Sequence, residues 1–251
     1  MIIVNNQLVN YQDVGSGRVI LLLHGWGSSL NIFSELSKSI SDKYRVISID
    51  FPGFGQSPRP NADWHVEDFS KLLASFLNKL DIEDLYAVIG HSFGGRVIIK
   101  GIKLKQINPE KVILMGSAGV KPKNNHRKHL LSFFVKIGKA ITSLPIANKI
   151  QPKLRNKLYR LIGNVDYLES REMKQTFLNV IAEDLSNDAE SIKQQTLLIW
   201  GEDDAETPIS DGKLLLKKIL NSEIISIPNA GHYVFVDEPV IVLEIILKFL
   251  K

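Results

Sequence analysis

The chain of 251 residues contains no cysteine. It therefore has no disulfide, no thiolate-bound zinc and no cysteine nucleophile. This composition fits a reducing cytosol and fits a secreted protein without disulfides nearly as well, and we predict a cytoplasmic location. Long apolar runs are also missing, since none reaches the roughly 20 residues that a membrane-spanning helix needs. The residues after Met1 lack a basic segment followed by a long apolar core, so no secretory signal peptide is predicted.

Negative charge is absent from one long stretch. There is no Asp or Glu between Lys111 and Val165, whereas residues 121–160 contain eleven Lys and Arg. Because the whole chain has a net charge of only +4, the remainder is net negative. One segment therefore differs in character from the rest of the chain.

Short runs of Val, Ile and Leu alternate with amphipathic stretches along most of the sequence. Strands are predicted over residues 7–13, 19–23, 44–49, 85–89, 112–115, 196–200 and 224–227. Helices are predicted over residues 31–41, 66–80, 97–105, 171–185, 209–220 and 238–250. This alternation indicates a mostly parallel, doubly wound α/β sheet with functional residues at the carboxyl ends of its strands. The glycines at 15 and 17 predict a hairpin between the first two strands.

The alternation stops between residues 121 and 193, where the pattern is helical without a convincing strand. We predict a core of residues 1–120 and 194–251, with residues 121–193 inserted as a helical cap. Apolar cap residues could line an acyl pocket or form the interior of the cap: Phe133, Phe134, Val135 and Leu144. The basic run could meet an acidic carrier protein, a CoA or phosphate group or an anionic lipid, or could simply be solvated. No nucleic-acid partner is expected.

One serine stands among glycines directly after a predicted strand. Residues 90–95 read Gly-His-Ser-Phe-Gly-Gly. Glycines on both sides of Ser92 predict a turn too tight for bulkier residues, with the hydroxyl exposed and a helix N-terminus behind it. Ser92 is therefore a candidate nucleophile, and it would need a base to take its proton.

Six histidines could supply that base: His24, His65, His91, His126, His129 and His232. His232 lies just past the last predicted strand, where a base at a strand end is expected. His91 adjoins Ser92, but adjacent side chains in such a turn point apart, so we expect it to be a packing residue. His24 is expected to hold a glycine loop in shape through a hydrogen bond.

A base of this kind needs a carboxylate to fix its tautomer and two N–H donors to hold the oxyanion. Residues 201–208 follow a predicted strand and offer four carboxylates, and spacing alone leaves Asp203 and Asp204 open. One N–H donor is expected from Phe93, directly after the nucleophile. The other is expected from Trp26, in the His-Gly-Trp-Gly loop of residues 24–27.

Five motifs in order resemble the α/β-hydrolase superfamily over essentially the whole chain. They are His24-Gly25-Trp26-Gly27, Asp50-x-Pro52-Gly53-x-Gly55-x-Ser57, Gly90-His91-Ser92-Phe93-Gly94-Gly95, Gly201-x-x-Asp204-x-x-x-Pro208 and Gly231-His232. The superfamily order of serine, acid and histidine is kept. Within the superfamily, the chain is most similar to small capped esterases and to the related carbon–carbon bond hydrolases.

The resemblance implies the α/β-hydrolase fold with an inserted cap, and no cofactor or metal. It implies a catalytic triad of Ser92, Asp204 and His232, and an oxyanion hole from the N–H groups of Trp26 and Phe93. Asp204 is chosen because the superfamily pattern has its aspartate three residues after the glycine and four before the proline. The same pattern implies that residues 50–57 form a structural turn. A serine nucleophile argues against the epoxide hydrolases and haloalkane dehalogenases, which use aspartate.

We therefore predict hydrolysis of a small-molecule carboxylic ester through an acyl-enzyme, and two alternatives stay open. Carbon–carbon bond hydrolysis of a vinylogous diketone uses the same triad, although those enzymes commonly have Asn at the position of His91. A ligand-binding or receptor protein could also retain the fold, and the intact triad weighs against this.

Overall fold

The computed structural model describes residues 1–121 and 173–251, and these residues contain nine strands. The strands are β1 (Ile2–Val4), β2 (Gln7–Val9), β3 (Tyr11–Val14), β4 (Val19–Leu23), β5 (Arg45–Ile49), β6 (Leu85–His91), β7 (Lys111–Met115), β8 (Gln195–Gly201) and β9 (Ser222–Ile227). β1 and β2 form a small antiparallel pair, and the other seven form one sheet in the order β3-β5-β4-β6-β7-β8-β9.

All neighbours in the seven-stranded sheet are parallel except β3, which pairs antiparallel with β5. The predicted hairpin through Gly15 and Gly17 is therefore wrong, because β3 does not pair with β4. β4 is buried along its whole length and has parallel neighbours on both sides, so no edge is left for a hairpin partner. β3 is partly exposed and takes the edge of the sheet instead.

Helices cover both faces of the sheet, as the doubly wound prediction requires. They are α1 (Ser34–Ile40), α2 (Val66–Lys79), α3 (Phe93–Lys103), α4 (Lys174–Ala182), α5 (Ile209–Lys218), α6 (Val234–Asp237) and α7 (Pro239–Phe249), with 3-10 turns at Leu30–Phe33 and Asp188–Ser191. Alternate residues of β4 face the helices on opposite sides of the sheet. Leu21 and Leu23 are buried with α2, α3 and α5, whereas Ile20 and Leu22 are buried with α1 and α7.

The described part of the predicted cap is its last section, from Met173 onward. Its helix α4 falls inside the helix predicted over residues 171–185, and Met173, Val180 and Ile192 are buried in the same core cluster as α2 and α3. Residues 122–172 lie outside the described residues. The predictions about the apolar side chains at 133–135 and 144, and about the basic run, therefore stay predictions, as do the boundaries of the cap.

No helix within residues 1–121 and 173–251 is long and apolar enough to cross a membrane.

Candidate active site

Ser92 lies between the end of β6 and the start of α3, in a backbone conformation that a serine rarely adopts. Its φ is +50° and its ψ is −109°, which for a non-glycine residue costs on the order of 1–3 kcal/mol. A Cβ atom at Gly94 would overlap the carbonyl oxygen of Leu23, so only glycine permits this close approach of α3 to β4. The predicted strained strand–turn–helix is confirmed, with Ser92 at the N-terminus of an 11-residue helix.

The glycine loop after β4 lies directly against Ser92. A Cβ atom added at Gly25 would be 3.3 Å from the Cβ atom of Ser92 and 2.9 Å from Nδ1 of His91. The rings of Trp26 and Phe93 are in contact, with centroids 5.3 Å apart. The two residues expected to supply oxyanion donors therefore flank Ser92 from different elements.

Asp204 and His232 form a buried hydrogen-bonded pair in the loops after β8 and β9. Nδ1 of His232 donates to Oδ2 of Asp204 at 2.9 Å, and the two side chains are 5% and 0% exposed. Oδ1 of Asp204 accepts the backbone N–H groups of Glu206 and Thr207, both at 2.9 Å, and the Thr207 hydroxyl donates to Oδ2 at 2.8 Å. Of the two aspartates that spacing left open, Asp204 contacts the histidine, while Asp203 is exposed.

Two further histidines hold the backbone around the site and are neutral. Nε2 of His91 donates to the carbonyl of His232 at 3.0 Å, which leaves its buried Nδ1 without a proton. Burial and the charge of His232 lower the pKa of His91 well below its usual value. Nδ1 of His24 donates to the carbonyl of Gly25 at 2.7 Å, and its Nε2 accepts the N–H of Phe51 at 3.0 Å. The predicted hydrogen bond from His24 to its loop is confirmed.

Sequence reasoning missed Glu206, whose carboxylate is the second one at His232. Oε2 of Glu206 is 3.4 Å from Nε2 of His232, the nitrogen that does not face Asp204, and the Glu206 side chain is 14% exposed. Burial raises the pKa of Glu206, and the charge of His232 opposes this in part. The only available signal was that Glu206 is one of four carboxylates in one loop, which does not say where each points.

The pKa of His232 reflects these neighbours. Burial lowers it, but the hydrogen bond to Asp204 and the charges of Glu206 and Asp204 outweigh burial, so the pKa is raised above that of an ordinary histidine. The remaining titratable groups against the imidazole are His91, with ring centroids 4.6 Å apart, and Tyr233, at 5.4 Å. Burial raises the pKa of the Tyr233 phenol, so it stays neutral.

Aromatic rings form an apolar wall next to Ser92. The Trp26 ring contacts Phe54 at a centroid distance of 4.8 Å and Phe177 of α4 at 5.2 Å. Phe177 is half-buried and belongs to the predicted cap. The loop beside Ser92 and the last helix of the cap thus contribute to one surface.

The turn of residues 50–57 has a structural role. Oδ1 of Asp50 accepts the N–H of Leu30 at 2.7 Å, and its Oδ2 accepts Nδ2 of Asn10 and the N–H of Gln56, both at 2.8 Å. Both carboxylate oxygens therefore hold neighbouring loops in place, as the prediction of a structural turn requires. In the part of the chain that the structure describes, no group of three or more His, Asp or Glu side chains is arranged to hold a metal ion.

Comparison with known proteins shows what this chain is similar to. Residues 18–100 match the sequence model of the alpha/beta hydrolase fold family. The uncharacterized hydrolase YugF of Bacillus subtilis is 25% identical over 99% of this chain and 95% of its own length. A 2-hydroxy-6-oxononadienedioate/2-hydroxy-6-oxononatrienedioate hydrolase of Cupriavidus pinatubonensis is 26% identical over 90% of this chain and 84% of its own length. An esterase from Exiguobacterium antarcticum superposes with a TM-score of 0.82 at 20% identity, covering 99% of this chain and 98% of the esterase.

The chain has the α/β-hydrolase fold. Its similarity to that family model and to sequence relatives named as hydrolases supports a hydrolase. The predicted fold class and the predicted hydrolase class are both confirmed.

Proposed function

We propose that this hydrolase cleaves a carboxylic ester of a small molecule through a Ser92 acyl-enzyme. The observation that carries the proposal is the buried 2.9 Å hydrogen bond between Asp204 and His232, at the same end of the sheet as the strained Ser92. A buried carboxylate that orients an imidazole is the arrangement that activates a serine when the two lie at the same end of the sheet.

In the proposed reaction, Nε2 of His232 takes the proton of the Ser92 hydroxyl as Oγ attacks the ester carbonyl carbon. The N–H groups of Trp26 and Phe93 bind the oxyanion of the tetrahedral intermediate. When the intermediate collapses, the carbon–oxygen bond to the alcohol breaks and Nε2–H gives its proton to the leaving oxygen. Water then attacks the acyl-enzyme with His232 as base, which releases the acid and restores Ser92.

Carbon–carbon bond hydrolysis is the second candidate, because one relative is named for 2-hydroxy-6-oxo dienedioate and trienedioate substrates. Those substrates carry two carboxylates. In its ionised form Glu206 places a further negative charge at Nε2 of His232, which opposes a dianion near the leaving group. Comparing turnover of a ring-fission dienedioate with that of a simple ester distinguishes the two reactions, and faster turnover of the dienedioate would favour the second.

Replacement of the nucleophile tests the proposal. Ser92→Ala should lower kcat for a short p-nitrophenyl ester by about 10⁴-fold or more and abolish labelling by a fluorophosphonate. Ser39→Ala is the matched control, because Ser39 is exposed on α1 and its hydroxyl donates to the carbonyl of Glu35 in the same helix. Unchanged turnover in Ser92→Ala would refute the assignment. Multiple turnovers by the wild type would also count against a receptor that merely retains the fold.

A further inference from the structure

Glu206 has no task in the reaction just proposed, yet it lies within that site. Within residues 1–121 and 173–251, its only ion-pair partner is His232, at 3.4 Å from Nε2. The side chain is largely buried, so its charge is poorly screened by water. A carboxylate held in this way costs stability unless a positive charge accompanies it.

The partner that Glu206 has in the resting site is lost when the reaction begins. His232 must be neutral to accept the Ser92 proton, and a neutral imidazole no longer balances the carboxylate. Burial then favours the protonated form of Glu206 unless another positive charge is close to it. The other histidines at the described site do not replace it, because the two hydrogen bonds of His24 fit only its neutral form and burial lowers the pKa of His91. A substrate cation would restore a partner to Glu206 in the state in which Ser92 attacks.

The position of Glu206 also defines which part of the substrate it meets. The leaving oxygen must come within about 3 Å of Nε2 to receive its proton. Because Oε2 of Glu206 is 3.4 Å from the same nitrogen, it can be no more than about 6.4 Å from the leaving oxygen. The alcohol portion of the ester therefore lies within reach of the carboxylate.

We propose that Glu206 is a specificity-determining residue that selects esters whose alcohol portion carries a positive charge. The proposal rests on the proposed function and names the substrate class of the same site. It assigns the selectivity to a direct charge contact between the Glu206 carboxylate and the cationic alcohol.

Two isosteric esters isolate this contact. Acetylcholine and 3,3-dimethylbutyl acetate have the same shape and differ in the charge of the alcohol. We expect kcat/KM of the wild type to be about tenfold or more higher for acetylcholine, as a unit charge at partly screened short range allows. In Glu206→Gln the ratio should fall close to one. Effects common to both esters, such as a change in His232, cancel in the ratio.

Glu202→Gln is the matched control, since it makes the same charge change in the same loop. Glu202 is exposed, and its Oε1 accepts the hydroxyl of Ser226 at 3.0 Å, so the control should keep the wild-type ratio. A wild-type ratio near one, or an equal ratio in wild type and Glu206→Gln, would overturn the proposal while Ser92-dependent hydrolysis of the neutral ester stands. If Ser92→Ala hydrolyses both esters as fast as the wild type, the proposed function fails and this inference fails with it.

Discussion

Arg96→Met is expected to lower the free energy of unfolding by about 3 kcal/mol. Arg96 lies on α3, is 5% exposed, and donates from Nη1 to the carbonyls of Val180 at 3.0 Å and Glu183 at 2.9 Å. These carbonyls belong to the end of α4, where a helix leaves its last acceptors without intrahelical donors. The guanidinium therefore joins the last helix of the predicted cap to the helix that begins at Ser92.

The magnitude follows from two opposing effects. Each hydrogen bond from a charged donor contributes about 1.5–3 kcal/mol, and both would be lost with the carbonyls left buried. Against this, methionine avoids the desolvation of the cation, an effect large enough that burial lowers the pKa of Arg96 to about 10 even though Glu183, Asp184 and Asp211 oppose it. Methionine also keeps the apolar stem in place, so we expect a net loss of about 3 kcal/mol, near the lower end of the roughly 3–6 kcal/mol that two such bonds contribute.

Urea unfolding followed by circular dichroism measures the change in the free energy of unfolding. In a separate thermal unfolding experiment, the melting temperature should fall by roughly 6–12 °C. Lys71→Met is the matched control, because Lys71 is exposed on α2 and its ion pair in the described residues is with Glu67 of the same helix. It should leave the unfolding curve unchanged. A loss below about 1 kcal/mol for Arg96→Met, with the slope of the transition unaltered, would refute the reasoning.

Three further predictions concern the candidate site. Asp204→Asn should lower kcat about 10⁴-fold, because the amide can present an N–H donor where Nδ1 of His232 needs an acceptor. A loss of less than tenfold, with the concentration of active enzyme measured by active-site titration, would contradict this role. Gly25→Ala places a Cβ atom 2.9 Å from Nδ1 of His91, so it should displace the loop carrying Trp26 and lower kcat by about 10²-fold; unaltered kcat would argue against an oxyanion donor there. In the kcat/KM pH profile, the acid limb should lie above that of an ordinary histidine, because the pKa of His232 is raised. Glu206→Gln removes one of the charges that raise it, so the limb should move to lower pH, and a limb that stays or moves upward would contradict the prediction.

The sheet could be predicted from the sequence because its central strands are buried on both faces. A run such as Val19–Leu23 is buried on both faces of the sheet, so all of its residues are apolar and the run indicates a strand directly. The pairing of β3 could not be predicted in the same way. Its sequence indicates a strand, but it does not say whether β3 pairs with β4 or with β5. That depends on the order of the other strands, which places β4 between β5 and β6 and leaves β5 with a free edge.

Some residues of the candidate site could likewise be predicted from the sequence, and others could not. Ser92 and His232 could be located because each follows a strand at a position that a short motif marks, and the structure brings both to the same end of the sheet. The choice between Asp203 and Asp204 needed the superfamily resemblance, since spacing does not tell which carboxylate turns inward. Glu206 was missed for the same physical reason. In an irregular loop the direction of a side chain depends on the local turn, and no regular repeat such as that of a helix or strand predicts it.

That turn also links the orientation of the base with the proposed selectivity of the site. The N–H of Glu206 donates to Oδ1 of Asp204 at 2.9 Å, while Oδ2 of the same carboxylate accepts Nδ1 of His232. The backbone of residue 206 is therefore fixed by the hydrogen bond that holds Asp204 in position for His232. A side chain that starts from this backbone stays within reach of Nε2 whenever the imidazole is correctly oriented. In the proposed reaction the leaving alcohol also approaches Nε2, so the side chain at 206 lies near it, and in this chain that side chain is a glutamate.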